Sequence, residues 1–325
     1  MTEHEQKILD TIQDAFPLEE RPYRVLADLF NAQGSVGSVT EQQVFDAVES
    51  LRKSGVIRRI GGVYDSKSLG FISRLCAGKL PTVATGANDS ALEAFAAAVS
   101  EIPAITHNYV RSHEYNVWFT VIAESEDEIK KIVDAICAKT ELHDVHVLSV
   151  TKKFKIDTVM TRGTRNRSLR AKRNDAMLSL TGVLSDSDRT RIRVACTDIP
   201  HTLTPFKDWG IAVDELRGDV AQRRMRRFGA ILRHQDAGFA YNAMVCFAAP
   251  AEAGNVLAQK PYISHCYERP AFEGFPYNLY AMMHAQSAEA LESFIADAAQ
   301  SIQNSDYAVL HSVKELKKTS FQFFV

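Results

Sequence analysis

Apolar and polar residues in the first part of the chain alternate with the period of a helix. Between residues 8 and 16 apolar residues recur every three or four positions and stop at Pro17, which predicts a helix with one buried face. A second short helix is predicted over residues 23–30. A third begins at Thr40, where Gln43 three positions later completes a capping box.

The period changes to two after the third helix. Residues 56–64 alternate in the manner of a strand, and Gly61-Gly62 within them predicts a tight turn. We therefore expect a small β-hairpin at this point. Three helices followed by such a wing are the outline of a winged helix-turn-helix domain.

The next stretch predicts strand, helix, strand, strand, helix, strand. The predicted elements are residues 71–79, 90–99, 104–111, 115–123, 126–138 and 145–151. This βαββαβ order predicts an α+β domain of the ferredoxin-like kind.

The second part of the chain repeats the first. Residues 57–62 (IRRIGG) resemble 225–230 (MRRFGA), and His-x-Tyr-x-Arg at 107–111 returns at 265–269. The helix that corresponds to the third is squeezed into residues 214–225. The second set of strands and helices is predicted at 241–248, 250–258, 264–269, 277–283, 288–298 and 308–313.

The repeat divides the chain into five segments. They are a winged helix-turn-helix domain at 1–66, a ferredoxin-like domain at 67–159, an arginine-rich linker at 160–173, a degenerate winged helix-turn-helix domain at 174–235 and a second ferredoxin-like domain at 236–325. We expect the two copies to form an internal pseudo-dimer, with further assembly of copies left open.

Composition narrows the class of protein. The 325 residues, 46% of them hydrophobic, are enough for at least two buried cores. Five scattered cysteines without a C-x-x-C pair argue against a disulfide framework or a protein metal site. A net charge of -2 gives no general attraction to nucleic acid. No apolar run is long enough for a membrane span and no signal peptide is evident, so a cytoplasmic location is the expectation.

Strand alternation brings the polar residues of the repeated motif together. His107, Tyr109 and Arg111 should share one face of a strand, with Thr106 and Asn108 on the other. The second copy should present His265, Tyr267 and Arg269 in the same way. The following strand adds Asn116 and Trp118 in the first copy, and Asn278, Tyr280 and His284 in the second.

These motifs resemble a known family. The outline of winged helix and ferredoxin-like domain resembles the Lrp/AsnC architecture, and IRRIGGVYDSKSLGF looks like its wing and linker. HNYVRSHEYNVWF, HCYERP and PYNLYAMMH look like the two subunits of siroheme decarboxylase fused in one chain, and RRFGAILRHQDAGFAYNAMV resembles the second subunit type.

The resemblance implies a reaction. The family removes two acetate carboxyl groups of siroheme as CO2 and yields 12,18-didecarboxysiroheme, for heme or heme d1 biosynthesis. No added cofactor is implied, because the substrate brings its own iron.

The residue types suit that chemistry. Aromatic faces match a flat tetrapyrrole, arginine pairs with carboxylates, and histidine can supply a proton near neutral pH. We expect His107 and His265 to be catalytic. The expected substrate contacts are Tyr109, Arg111, Asn116, Trp118, Arg233, His234, Tyr267, Arg269, Asn278, Tyr280 and His284, with His234 also a candidate contact to the siroheme iron.

Two other functions compete. The fold equally permits a DNA-binding transcriptional regulator. However, the predicted recognition helix carries Glu41, Asp46 and Glu49 where a major-groove helix needs positive charge, and the second copy's helices look too short to dock. A heme-binding sensor without catalysis would keep the aromatic and arginine residues but would not need paired histidines.

Overall fold

The computed structural model describes residues 2–33, 38–81, 90–156, 184–232, 241–318, 321, 323 and 324. The chain divides into two compact units. The helical unit comprises Met1–Leu69, Val159–Ala237 and Gln322–Val325, and the sheet unit comprises Gly70–Thr158 and Gly238–Phe321. Each unit thus combines segments from both copies of the repeat.

The elements follow the order that the repeat predicts. In chain order they are α1 (Glu3–Asp14), α2 (Pro22–Ala32), α3 (Glu41–Lys53), β1 (Ile57–Tyr64), a 3-10 turn (Lys67–Leu69), β2 (Ile72–Lys79), α4 (Ser90–Ser100), β3 (Ile105–Arg111), β4 (Val117–Ala123), α5 (Glu126–Lys139), β5 (His143–Leu148), β6 (Lys152–Ile156), α6 (Asp186–Ala195), α7 (Pro205–Trp209), α8 (Val213–Ala221), β7 (Met225–Leu232), β8 (Tyr241–Phe247), α9 (Ala253–Gln259), β9 (Ile263–Glu268), β10 (Leu279–Ala285), α10 (Ala288–Ser301) and β11 (Tyr307–Lys318). The duplicated α+β fold class is confirmed.

The helical unit contains both sets of three helices. Thr40 caps α3 as expected, because its side chain accepts a hydrogen bond from the Gln43 backbone and that of Gln43 bonds back to the cap. Ser185 and Asp188 form a second capping box at the start of α6.

The expected hairpin in the first wing is wrong. Strand β1 continues through Gly61-Gly62 and pairs antiparallel with β7, so that Gly61 lies opposite Gly229. A Cβ atom on Gly61 would lie 2.4 Å from the carbonyl oxygen of Thr197, and one on Gly229 would lie 2.6 Å from that of Ile12. These glycines therefore permit close backbone packing and do not form a turn.

The sheet unit is built on one nine-stranded antiparallel sheet in the order β5-β2-β4-β3-β11-β8-β10-β9-β6. We call residues 70–156 its first half and 241–318 its second half. In each half the fourth strand lies beside the first and the third beside the second, which is the ferredoxin-like order. The two halves thus share one sheet.

The long strand β11 and the segment formed by β5 and β6 connect the two halves of the sheet. Strand β11 pairs first with β8 of its own half and then with β3 of the first half. The segment of β5 and β6 connects the halves in the same way. Strand β5 pairs with β2 of the first half, and β6 pairs with β9 of the second half. Since only residues 149–151 separate β5 from β6, the sheet curls until its two edges meet end to end.

The curled sheet encloses an inner core and carries two outer cores. Helices α4 and α5 cover an outer core around Phe95 and Phe119, and α9 and α10 cover one around Phe247 and Ile295. The inner core lies on the opposite face of the strands and includes residues of both halves, such as Trp118 and Tyr280.

The sequence missed β6 and the full length of β11. Residues 152–156 read KKFKI and residues 314–318 read KELKK, so charge masks the alternation that a strand normally shows. Strand β4 begins at Val117 and β10 at Leu279, which places Tyr115, Asn116 and Asn278 in the preceding loops and not in the strands where we expected them.

Candidate active site

The histidine of the first motif follows a break in strand pairing. Ile105 pairs with Val121 and His107 pairs with Thr120, so Thr106 remains as an extra residue between them. Such a β-bulge interrupts the strict alternation of side chains. Thr106 is buried and His107 is exposed, so the expectation of opposite faces stays a prediction, but the bulge brings the two side chains into contact.

The second motif has the same break. His265 pairs with Met282 and Ile263 with Met283, which leaves Ser264 as the extra residue. A hydroxyl residue thus precedes the histidine at the break in both copies. The shared Thr/Ser-His pair was visible in the sequence, but only the register shows that it forms a bulge.

Each bulged hydroxyl contacts the adjacent imidazole. Thr106 Oγ1 lies 2.9 Å from His107 Nδ1, and Ser264 Oγ lies 2.9 Å from His265 Nδ1. These hydrogen bonds fix the orientation of each ring through the same nitrogen.

Exposure rises along each motif from the arginine to the histidine. Arg111 is 5% exposed, Tyr109 is half-buried and His107 is exposed. Arg269 is 8% exposed, and His265 is half-buried. Each motif thus runs from the inner core to the solvent.

Arg111 is held inside the sheet unit by the second half. Its Nη1 atom donates to the carbonyl oxygen of Leu310 at 3.2 Å and to Ser312 Oγ at 2.7 Å. Its Nη2 atom lies 3.9 Å from Met282 Sδ on β10, three places away in the sheet, so this contact crosses the interior. Burial lowers the pKa of Arg111 to about 10.

Arg269 is held by the first half. Its Nη1 atom donates to the carbonyl oxygen of Leu148 at 2.9 Å, and its guanidinium carbon lies 5.2 Å from the ring centre of Tyr267. Burial also lowers its pKa. The Nε atoms of both arginines are buried without a hydrogen-bond partner among the described residues, and the bonds found go to neutral acceptors. Within the described residues, these two buried cations therefore bond only to neutral acceptors.

Trp118 and Tyr280 fill the centre between the halves. Their ring centres are 6.3 Å apart, and both side chains are almost fully buried. Trp118 Nε1 donates to the carbonyl oxygen of Tyr115 at 2.7 Å. Trp118 pairs with Tyr109 between β3 and β4, and Tyr280 pairs with Tyr267 between β9 and β10, so each ring lies beside the tyrosine of a motif.

Asn116 and Asn278 have a role in the fold that the sequence did not reveal. The Asn116 side chain accepts from the Leu80 backbone N–H at 2.8 Å and donates to its carbonyl oxygen at 3.1 Å. Asn278 makes the same pair of bonds with Ala249, at 3.0 and 2.8 Å. Both amides fasten the end of one strand to the start of another, so their contact with a ligand stays a prediction.

His284 lies behind the second motif. It is 8% exposed, and its Nε2 atom lies 3.0 Å from Ser264 Oγ. The structure therefore brings together His265, Ser264 and His284, of which the sequence analysis singled out only the histidines.

Aromatic residues cover the other end of the inner core. Tyr115 Oη donates to Asp144 Oδ2 at 2.9 Å, and the ring of His146 stacks on Phe272 with centres 3.9 Å apart. Because Tyr115 follows the end of β3, this cover lies on the order of 13 Å from His107 along the strand. The histidines of the motifs thus mark the opposite end.

Some expected features lie outside the described residues. Arg233, His234 and the linker at 160–173 are among them. Among the described residues, no group of three or more His, Cys, Asp or Glu side chains is arranged to hold a metal ion. No helix in that part of the chain is long and apolar enough to cross a membrane.

Two family models match this chain, one over both ferredoxin-like copies and one over the first helix-turn-helix segment. The model described as AsnC-like ligand binding domain matches residues 69–155 and 236–317, together just over half of the chain. The model described as siroheme decarboxylase NirDL-like HTH domain matches residues 5–58.

Relatives match over the full length or over half. A siroheme decarboxylase of Hydrogenobacter thermophilus (strain DSM 6534 / IAM 12695 / TK-6) is 29% identical over 98% of this chain and 94% of its own. A siroheme decarboxylase alpha subunit of Desulfovibrio desulfuricans is 40% identical over 48% of this chain and 82% of its own. The crystal structure of the siroheme decarboxylase NirDL in co-complex with an iron-uroporphyrin III analogue superposes with a TM-score of 0.68 at 26% identity, covering 98% of this chain and 94% of that one.

Proposed function

The chain belongs to the AsnC-like ligand-binding family, and we propose that within this family it is a siroheme decarboxylase with both subunit types fused in one chain. The observation that carries the proposal is the duplicated, bulged histidine above an interior of aromatic and arginine side chains. The full-length likeness to a siroheme decarboxylase supports it independently.

The proposed reaction removes two acetate carboxyl groups of siroheme as CO2 and gives 12,18-didecarboxysiroheme. This makes the chain a carboxy-lyase on the way to heme or heme d1. It needs no added cofactor, because the tetrapyrrole brings its own iron and its own electron-accepting ring.

Loss of CO2 leaves the electron pair of the broken C–C bond on the methylene carbon, where a proton must complete the new methyl group. His107 and His265 are the proposed proton donors, since they stand at the exposed end of each motif with the ring fixed through Nδ1. A well-placed acid of this kind typically contributes about two to four decades in rate.

Arg111 and Arg269 are proposed to act through their charge, and not as direct hydrogen-bond partners of the carboxylates on the rim of the ring. Both are buried and bonded to the protein, yet within the described residues their acceptors are neutral. In a low-dielectric interior such charges attract a substrate that carries many carboxylates. Weak contact with the reacting carboxylate also avoids stabilising the ground state.

The helix-turn-helix part is proposed to have no DNA-binding role. Helix α3 presents acidic side chains near its start, where Arg21 Nε donates to Glu41 at 3.1 Å and Gln42 bonds Asp46 at 2.8 Å. A phosphate backbone would be repelled by this end of the helix.

Anaerobic incubation of the purified chain with siroheme, followed by mass spectrometry, tests the proposal. Loss of the mass of two CO2 molecules supports it. Tight binding with unchanged mass would indicate a sensor, and sequence-specific retention of DNA without turnover would indicate a regulator. Either result would overturn the proposal.

A further inference from the structure

The two motif histidines differ in the side chain that contacts the neighbouring hydroxyl group. Ser264 Oγ touches two imidazoles, at 2.9 Å from His265 Nδ1 and at 3.0 Å from His284 Nε2. Thr106 Oγ1 makes the corresponding 2.9 Å contact with His107 Nδ1 in the first half. The hydroxyl-to-histidine contact is therefore common to both halves, and the second histidine is the point of difference.

Strand register identifies the counterpart of His284. His265 pairs with Met282 and His107 pairs with Thr120, so the positions two residues further along are His284 and Ile122. These two also occupy equivalent places on the neighbouring pair of strands, where His284 lies opposite Asn242 and Ile122 opposite Ser73. An isoleucine cannot carry a proton, so this position of the first half cannot do what His284 can do.

We propose that Ser264 and His284 form a proton relay that serves His265, and that the first half, with Ile122 at the position of His284, has no matching histidine behind Thr106 among the described residues. The inference rests on the proposed decarboxylation and assigns the two copies unequal parts in it. His284 is almost fully buried, so the proton it holds is kept from bulk solvent until the relay uses it.

The steps of the proposed relay balance in protons and electrons. When the C–C bond of an acetate arm breaks, its electron pair stays on the methylene carbon and CO2 leaves. His265 gives one proton to that carbon to form the C–H bond of the methyl group. As the proton leaves from His265 Nε2, Ser264 passes its hydroxyl proton to His265 Nδ1 and takes one from Nε2 of His284, which begins as the imidazolium and ends as the neutral imidazole. No oxidant or reductant is needed.

Among the described residues, the Ser264 hydroxyl has a further acceptor besides the two imidazoles. Ser264 Oγ also lies 3.3 Å from the carbonyl oxygen of Met282, a longer distance than to either imidazole. A hydroxyl rotates freely enough to change acceptor, so this contact is compatible with a resting orientation from which the relay begins.

The test compares single-turnover decarboxylation of siroheme by matched variants under anaerobic conditions. Ser264→Ala removes the relay, and Thr106→Ala removes the equivalent hydrogen bond in the half that has Ile122 at the position of His284. We expect Ser264→Ala to slow turnover about ten-fold or more, within the range of general acid catalysis, and clearly more than Thr106→Ala. Ser264→Thr keeps the hydroxyl and should restore most of the rate, with siroheme binding unchanged throughout.

A second variant distinguishes proton transfer from packing. His284→Ala should be slow and should regain activity when imidazole is added, because a small acid can occupy the space of the lost ring. Equal slowing by Ser264→Ala and Thr106→Ala, or no response of His284→Ala to imidazole, would overturn the relay while the proposed function stands. A wild-type chain that leaves siroheme unchanged would overturn both.

Discussion

Arg269 Nη1 donates a 2.9 Å hydrogen bond to the carbonyl oxygen of Leu148, the last residue of β5. Arg111 makes the corresponding bond to Leu310 at 3.2 Å. Each motif arginine therefore donates to a strand of the opposite half: Arg269 to β5 of the first half, and Arg111 to β11 of the second half. The duplicated motif holds the two halves together as well as lining the candidate site.

Removal of Arg269 should destabilise the sheet unit. Arg269→Ala takes a charged donor from a buried carbonyl, which typically costs about 1.5–3 kcal/mol. Urea unfolding followed through tryptophan fluorescence in a Trp209→Phe background, which leaves Trp118 as the reporter, would measure the change. Lys130→Ala is the control, because its pair with Asp134 is exposed and screened by solvent, so its loss should change the stability little. Equal stability of the two variants would contradict a structural role for Arg269.

Asn116 and Asn278 should matter for stability more than for binding. Asn116→Ala leaves the backbone N–H and carbonyl of Leu80 without their side-chain partner, at a cost of about 1–3 kcal/mol. Asn278→Ala should have the same effect at Ala249. Siroheme titration of the folded variants should give unchanged affinity. A large loss of affinity with full stability would show instead that the amides contact the ligand.

Asn108 offers a stabilising substitution. Its side chain is fully buried, and neither polar atom has a partner among the described residues. The equivalent position in the second motif, one residue after the histidine, is the buried Cys266. Asn108→Cys should therefore raise the free energy of unfolding by about 1–3 kcal/mol.

The reciprocal change is the matched control. Cys266→Asn should lower stability by burying an amide among apolar residues. If Asn108→Cys also lowers stability, the amide must have a partner or a function that outweighs its burial.

Asp188 should make the helical unit sensitive to acid. Hydrogen bonds from Ser185 and then Arg191 lower the pKa of its carboxyl from 3.8 to about 2. Because the folded pKa is depressed, this contribution to stability is complete above pH 3.8 and is lost as pH falls toward 2. The difference in unfolding free energy between wild type and Asp188→Asn should shrink over that interval. A difference that does not change with pH would contradict the assignment.

The sequence predicted most of the sheet unit because alternation and duplication are strong local signals. It failed where tertiary contacts decide. The glycines at positions 61 and 62 read as a turn, yet the chain stays extended there and pairs with β7. Gly61 is needed for a different reason, because the carbonyl oxygen of Thr197 lies where a Cβ atom would be. The strand β6 was missed because its partner β9 lies more than 100 residues away in the chain.

The sequence suggested residue types for the candidate site, and the roles assigned to them stay predictions. The motif histidines lie at the more exposed end of each motif, which the sequence analysis did not predict, and the arginines bond to the main chain. A bulge cannot be recognised in a single strand, since it is defined by the partner's register. The contact of Ser264 with both His265 and His284 therefore could not be derived before the pairing was known.

The central claim is that the histidines of both motifs carry out the decarboxylation. It is tested most directly by one anaerobic comparison of wild type, His107→Ala and His265→Ala, in which bound siroheme is quantified and the products are weighed by mass spectrometry. We predict that all three proteins retain siroheme and that only the wild type converts it fully to the product that has lost two CO2 molecules. Full conversion at the wild-type rate by either variant would contradict the role assigned to that histidine.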